Sequence, residues 1–165
     1  MRAVLRWVGR HLVTADAVYG VILYSALIAV VSEKQNHSLE VFVVSFLSLV
    51  VFWGAHVYAG TIANHVVRDG REITLGAAFH EAVNHTSGML YAAVLPSIPL
   101  IVGAFHGLSD DDAASISMLV VVVQLAVIGY QSFAQRKSRI VVRIFGAIGT
   151  ALFGLLMVIL NYVVH

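Results

Sequence analysis

The chain has 165 residues, 59% apolar and 12% charged, with a formal net charge of +1 and no cysteine. A mean hydropathy of +0.88 leaves a soluble globule too little polar surface, and the missing thiols exclude disulfides, thiolate catalysis and thiolate metal sites. The basic residues are spread over several segments instead of forming one surface, so nucleic acid is not an expected partner.

Five apolar runs follow along the chain, at residues 12–32, 41–62, 87–106, 113–131 and 140–164. Each is near the roughly 20 residues that a helix needs to cross about 30 Å of hydrocarbon. The sequence therefore predicts an all-α integral membrane protein with five transmembrane helices and a single transmembrane domain over 1–165. The first run contains Asp16 and has no small-residue cleavage signal after it, so it reads as a retained span and not as a signal peptide. With short loops and no room for a soluble domain between the spans, activity is expected in the helices or at their ends.

Charge sets the expected orientation. Arg2, Arg6 and Arg10 precede the first span, Arg68 and Arg71 follow the second, and Arg136, Lys137, Arg139 and Arg143 lie between the fourth and fifth or at its mouth. Lys34 alone falls on the other side, which places the N-terminus in the cytoplasm and the C-terminus outside a bacterial-type inner or plasma membrane. Asp110, Asp111 and Asp112 then lie in an outside turn.

Segment 73–86 is less apolar and predicts either an interfacial turn of helix or a cytoplasmic extension of the third span, with Glu81 and His85 four apart on one face. Pro96 and Pro99 predict a bend or break near 92–99, as a packing kink or as a place where freed carbonyls coordinate an ion. The fourth span has almost no polar side chain besides Gln124 and is expected at the periphery, facing lipid. In the fifth, Gly146, Thr150 and Gly154 make a small-residue stripe that serves packing within a subunit or between subunits equally well. Five spans do not divide into equal inverted halves, which disfavours an inverted-repeat transporter in a monomer.

Polar residues inside the runs are the candidate site. Asp16, near the start of the first span, must face protein or water. It is either a cap or ion pair, with Arg10 as partner, or a vestibule carboxylate that gathers cations. His56, three residues after Trp53, is either a satisfied interhelical hydrogen bond or a proton-transfer group. Ser45 and Ser48 offer hydrogen bonds to neighbouring helices. His56, His65, His80, Glu81 and His85 are suitable ligands for a metal, or for haem between spans, although the histidines of HEAVNH are five apart and not the four of a metallopeptidase helix. No cofactor is required by the main reading; a metal- or haem-binding redox protein is one alternative, and a non-conducting structural or lipid-associated subunit is another.

Two segments carry a family likeness. RHLVTAD, with Arg10 and Asp16, resembles the arginine, spacer, aromatic, serine, aspartate signature that opens the first span of the endolysosomal potassium channel family and its small bacterial relatives. SFLSLVVFWGAH, with Ser45, Phe46, Trp53 and His56, is similar to that family's second span. The resemblance covers roughly residues 10–60 and implies a cation channel assembled from several subunits, its first helix lining the pore. It also implies that Arg10, Asp16, Trp53 and His56 hold the cytoplasmic end together. Thr14 and Ala15 replace the aromatic and serine, and the family module has six spans.

Helical spacing independently draws a pore wall, running from Asp16 through Gly20, Leu23 and Leu27, with Val21 and Tyr24 on an adjacent face. Rings of leucine from several copies would form a constriction that closes by dewetting. With no carbonyl-rich filter sequence, selectivity falls to constriction width, Ser25 or the Asp16 vestibule. The expected partners are membrane lipids, further copies of the chain in a homo-oligomer, and the transported cation.

Overall fold

The computed structural model describes residues 14–34, 37–65, 67–68, 71–135 and 139–164, with the side chains at 67–68, 71–72 and 160–164 left aside. Helices α1 (Ala15–Ser32), α2 (Ser38–Asn64), α3 (Leu75–Ala104), α4 (Asp110–Gln135) and α5 (Ile140–Val164) follow one another, and a two-stranded antiparallel turn, β1 (Val67–Arg68) with β2 (Arg71–Glu72), joins α2 to α3. All five helices are long and apolar enough to cross a membrane. The architecture is that of a multi-span all-α membrane bundle, with the small β turn as its one unpredicted element.

Side chains fix several helix ends. The Thr14 hydroxyl accepts from the Ala17 N–H at 3.1 Å and caps α1, Thr74 does the same for α3 through Ala77, and Ser109 accepts from the Asp112 N–H at 3.2 Å before α4. At the end of α3, His106 takes a left-handed φ of 62°. Its N–H donates to the Gly103 carbonyl at 2.8 Å, and that of Gly107 donates to Val102 at 3.0 Å. The last carbonyls of α3 are thus satisfied by a Schellman motif in which histidine, with Gly107 beside it, takes the left-handed position.

Lipid tails are as apolar as leucine, so these helices are held by close packing and hydrogen bonds more than by the hydrophobic effect. Helix α1 is the hub and touches each of the other four. Ala17, Val21, Tyr24, Ser25 and Ile28 of α1 are buried. Gly20 lies so close to α3 that an added Cβ would sit 2.6 Å from the Met89 carbonyl oxygen.

Segment 73–86 is the first part of a continuous α3, capped by Thr74, so it extends the third span and is not a separate interfacial piece. Helix α3 also runs through Pro96 and Pro99 as one helix, so of the expected bend or break there is no break. Pro96 has no N–H for the Ala92 carbonyl, and Gln124 of α4 supplies the missing donor, its Nε2 standing 2.8 Å away. Ser117 of α4 donates to the Pro96 carbonyl at 2.7 Å.

These bonds overturn the peripheral placement of the fourth span. In α4, 44% of the span is buried, against 6% in α5. The peripheral helix is α5, which meets α4 along the predicted small-residue stripe. Gly146 faces Phe133, Gly154 faces Leu125 and Val122, and the Thr150 hydroxyl reaches the Leu125 carbonyl at 2.8 Å. The stripe therefore serves packing inside the subunit. A side chain at Gly129 would collide with Thr150 and the Gly146 backbone. Gly129→Leu is expected to detach α5 while leaving α1 to α4 folded, seen as faster protease cleavage between α4 and α5 with unchanged protection elsewhere.

Candidate functional site

Polar side chains gather at both ends of α1 and at its middle. At the Asp16 end, the His85 Nδ1–H donates to Asp16 Oδ2 at 2.7 Å. The carboxylate accepts only, so this bond places a hydrogen on Nδ1 and turns Nε2 outward. The Asp16 side chain is 18% exposed and that of His85 75%. One turn along α1, the Tyr19 ring lies 5.2 Å from that of His56, centroid to centroid. Helix α1 thus meets α3 through the Asp16 to His85 pair and α2 through the Tyr19 to His56 contact.

At mid-helix the Tyr24 hydroxyl meets Ser97 of α3 at 2.8 Å. Ser97 spends its own hydrogen on the Ala93 carbonyl at 2.8 Å, so Tyr24 is the donor. At the opposite end of the bundle, the Ser38 N–H and Oγ–H both donate to Asp110 Oδ1, at 2.7 and 2.5 Å. This clasp ties the first turn of α2 to that of α4, and Gly103 of α3 is packed beneath it against Ser38 and Ala113. Ser38→Ala is expected to lower the thermal midpoint measured in detergent, whereas Asp111→Ala, at an exposed neighbour, should leave it unchanged.

The structure sorts the predicted residues. Arg10 lies outside the described residues, and the partner of Asp16 among them is His85. His56 is exposed on α2 against Tyr19 and makes no buried interhelical hydrogen bond among the described residues. Among the described residues the Trp53 indole N–H and the Ser45 hydroxyl are buried without a hydrogen-bond partner, so neither is bonded to Asp16 or His85. Ser25 is buried and donates to the Ile22 carbonyl at 2.7 Å, within its own helix. In the predicted pore stripe Gly20 is turned into α3, while Asp16, Leu23 and Leu27 remain partly exposed.

Among the described residues no three His, Asp or Glu side chains are close enough to hold an ion. The His65 Nδ1–H donates to the Ile73 carbonyl at 2.9 Å, next to the β turn, and His80 and Glu81 are exposed on α3.

The chain matches no protein-family model, no curated protein and no solved structure. The Asp16–His85 pair was legible only in part, because the place of Asp16 near the start of the first span showed a carboxylate in need of a partner, with Arg10 as the expected one, and nothing in the sequence pointed to His85.

Proposed function

We propose that this chain is one subunit of a homo-oligomeric cation channel in an inner or plasma membrane, with α1 facing the conduction path and its N-terminal end in the cytoplasm. The supporting observation is the position of Asp16. It is a carboxylate at the end of the hub helix, held by an imidazole and still 18% exposed. A carboxylate so placed concentrates cations at the mouth of a low-dielectric path.

Leu23 and Leu27 lie two and three turns further along. At ~100° per residue they fall within about 20° of Asp16 around the helix, and both are only partly covered by their own subunit. Copies arranged about an axis with this stripe inward would set a ring of carboxylates ahead of rings of leucine. The leucines close the path by dewetting, and the carboxylates favour positive charge. The resemblance of Arg10, Asp16, Trp53 and His56 to the endolysosomal potassium channel signature supports the same assignment. It makes potassium the first ion to test, with protons second because His56 and His85 flank the entrance.

The test is potassium and proton flux into liposomes that hold protein of determined oligomeric mass. Wild type is expected to pass cations selectively, and Leu23→Ala to raise the leak by widening the constriction. A folded oligomer that passes no cation overturns the reading.

A further inference from the structure

Pro96 and Pro99 withhold N–H donors from the Ala92 and Leu95 carbonyls of α3, and each ring crowds the turn before it. A helix with two such gaps three residues apart has lost part of the backbone ladder that sets its course. Here the segment is held from outside. Gln124 of α4 donates to the Ala92 carbonyl at 2.8 Å, and Ser117, two turns away on the same side of α4, donates to the Pro96 carbonyl at 2.7 Å. From α1, Tyr24 donates to Ser97 at 2.8 Å. Gln124, Ser117, Tyr24 and Ser97 are all buried, so water is not at hand to replace these bonds.

The two sides of this segment hold different parts of α1. Before it, His85 and Met89 seat α3 on Asp16 and Gly20. Beyond it, Leu100 belongs to the apolar cluster on which Leu23 and Leu27 pack, and Gly103 lies against Ser38 of the clasp. A change of course at 92–99 therefore moves the backing of Leu23 and Leu27 and leaves the Asp16 end in place.

We propose that residues 92–99 of α3 form a hinge, and that Gln124 and Ser117 are positioning residues that hold the arm beyond it, residues 100–104, against α1. Pro96 and Pro99 are buried, and a helix bends away from a proline ring that crowds it, so an arm without its α4 donors swings out of the bundle. From Pro96 to Phe105 the arm is about 14 Å long at 1.5 Å per residue, and a kink of about 20° shifts its end by roughly 5 Å. The hinge is a property of the bundle and does not depend on conduction.

The chain has no cysteine, so nitroxide labels go only where cysteines are introduced. Val30, near the end of α1, and Phe105, just past α3, are 58% and 83% exposed. Double electron–electron resonance on the Val30→Cys, Phe105→Cys protein in lipid nanodiscs reads the distance between them. Adding Gln124→Leu with Ser117→Ala is expected to lengthen it by roughly 5 Å, the displacement of a kinked arm. Adding Pro96→Ala and Pro99→Ala to that chain returns the backbone donors and should restore the original distance. A distance unchanged by loss of both α4 donors overturns the proposal. A lengthened distance that the alanines fail to restore also overturns it, by showing a packing defect in place of a hinge. Should the Gln124→Leu, Ser117→Ala protein fail to fold, thermal midpoints in detergent decide. Gln124→Leu alone should then lower the midpoint about twice as much with Pro96 present as in the Pro96→Ala chain, and equal losses overturn the proposal.

Discussion

Gly20→Val is expected to be the most destabilising single substitution in α1, costing about 3 kcal/mol or more, at the top of the range for overpacking a tight contact. The added Cβ would stand 2.6 Å from the Met89 carbonyl oxygen and 2.7 Å from the Met89 Cα. Both atoms are backbone, so no rotamer change relieves the clash, and α1 and α3 must move apart. That separation also pulls on the Tyr24 to Ser97 bond one turn away. Gly54→Val is the control, since a Cβ at Gly54 meets nothing within 4 Å, and its expected effect is within about 0.5 kcal/mol. Thermal unfolding in detergent distinguishes the two. Equal midpoints would mean that the close α1 to α3 contact is not the native packing.

Asp16→Asn is expected to lower cation flux about tenfold at low ionic strength, the lower end of what a focused field contributes. The deficit should shrink in molar salt, where the screening length falls to about 3 Å. His85→Ala separates charge from structure. It removes the donor at 2.7 Å but leaves the carboxylate, so flux should persist while stability falls by about 1 kcal/mol or less, because the imidazole is 75% exposed and solvent screens the pair. If both variants changed stability alike and neither changed flux, Asp16 would be a structural anchor.

How much of this molecule is written in the sequence depends on the range of the interaction concerned. Five spans were legible because each follows from a contiguous run of apolar residues and from the thickness of hydrocarbon, and all five appear as helices. The stripe of Gly146, Thr150 and Gly154 was legible as a contact surface because helical periodicity places small residues on one face. Which surface it meets was not, since Gly129 and Phe133 of α4 are as plausible in sequence as a second copy.

The long-range hydrogen bonds were decided only by the tertiary structure. Gln124 looked like an isolated polar residue on a lipid-facing helix, and Pro96 looked like a bend or break. Brought together they cancel, because the donor that one residue offers is the donor that the other removes. Asp16 likewise showed its need for a partner, but His85 is 69 residues away along the chain and only the seating of α1 on α3 joins them. Sequence by itself determined which segments enter the membrane and which polar groups must be answered there. The fold decided who answers, because a hydrogen bond depends on ångström-scale position that no local pattern encodes.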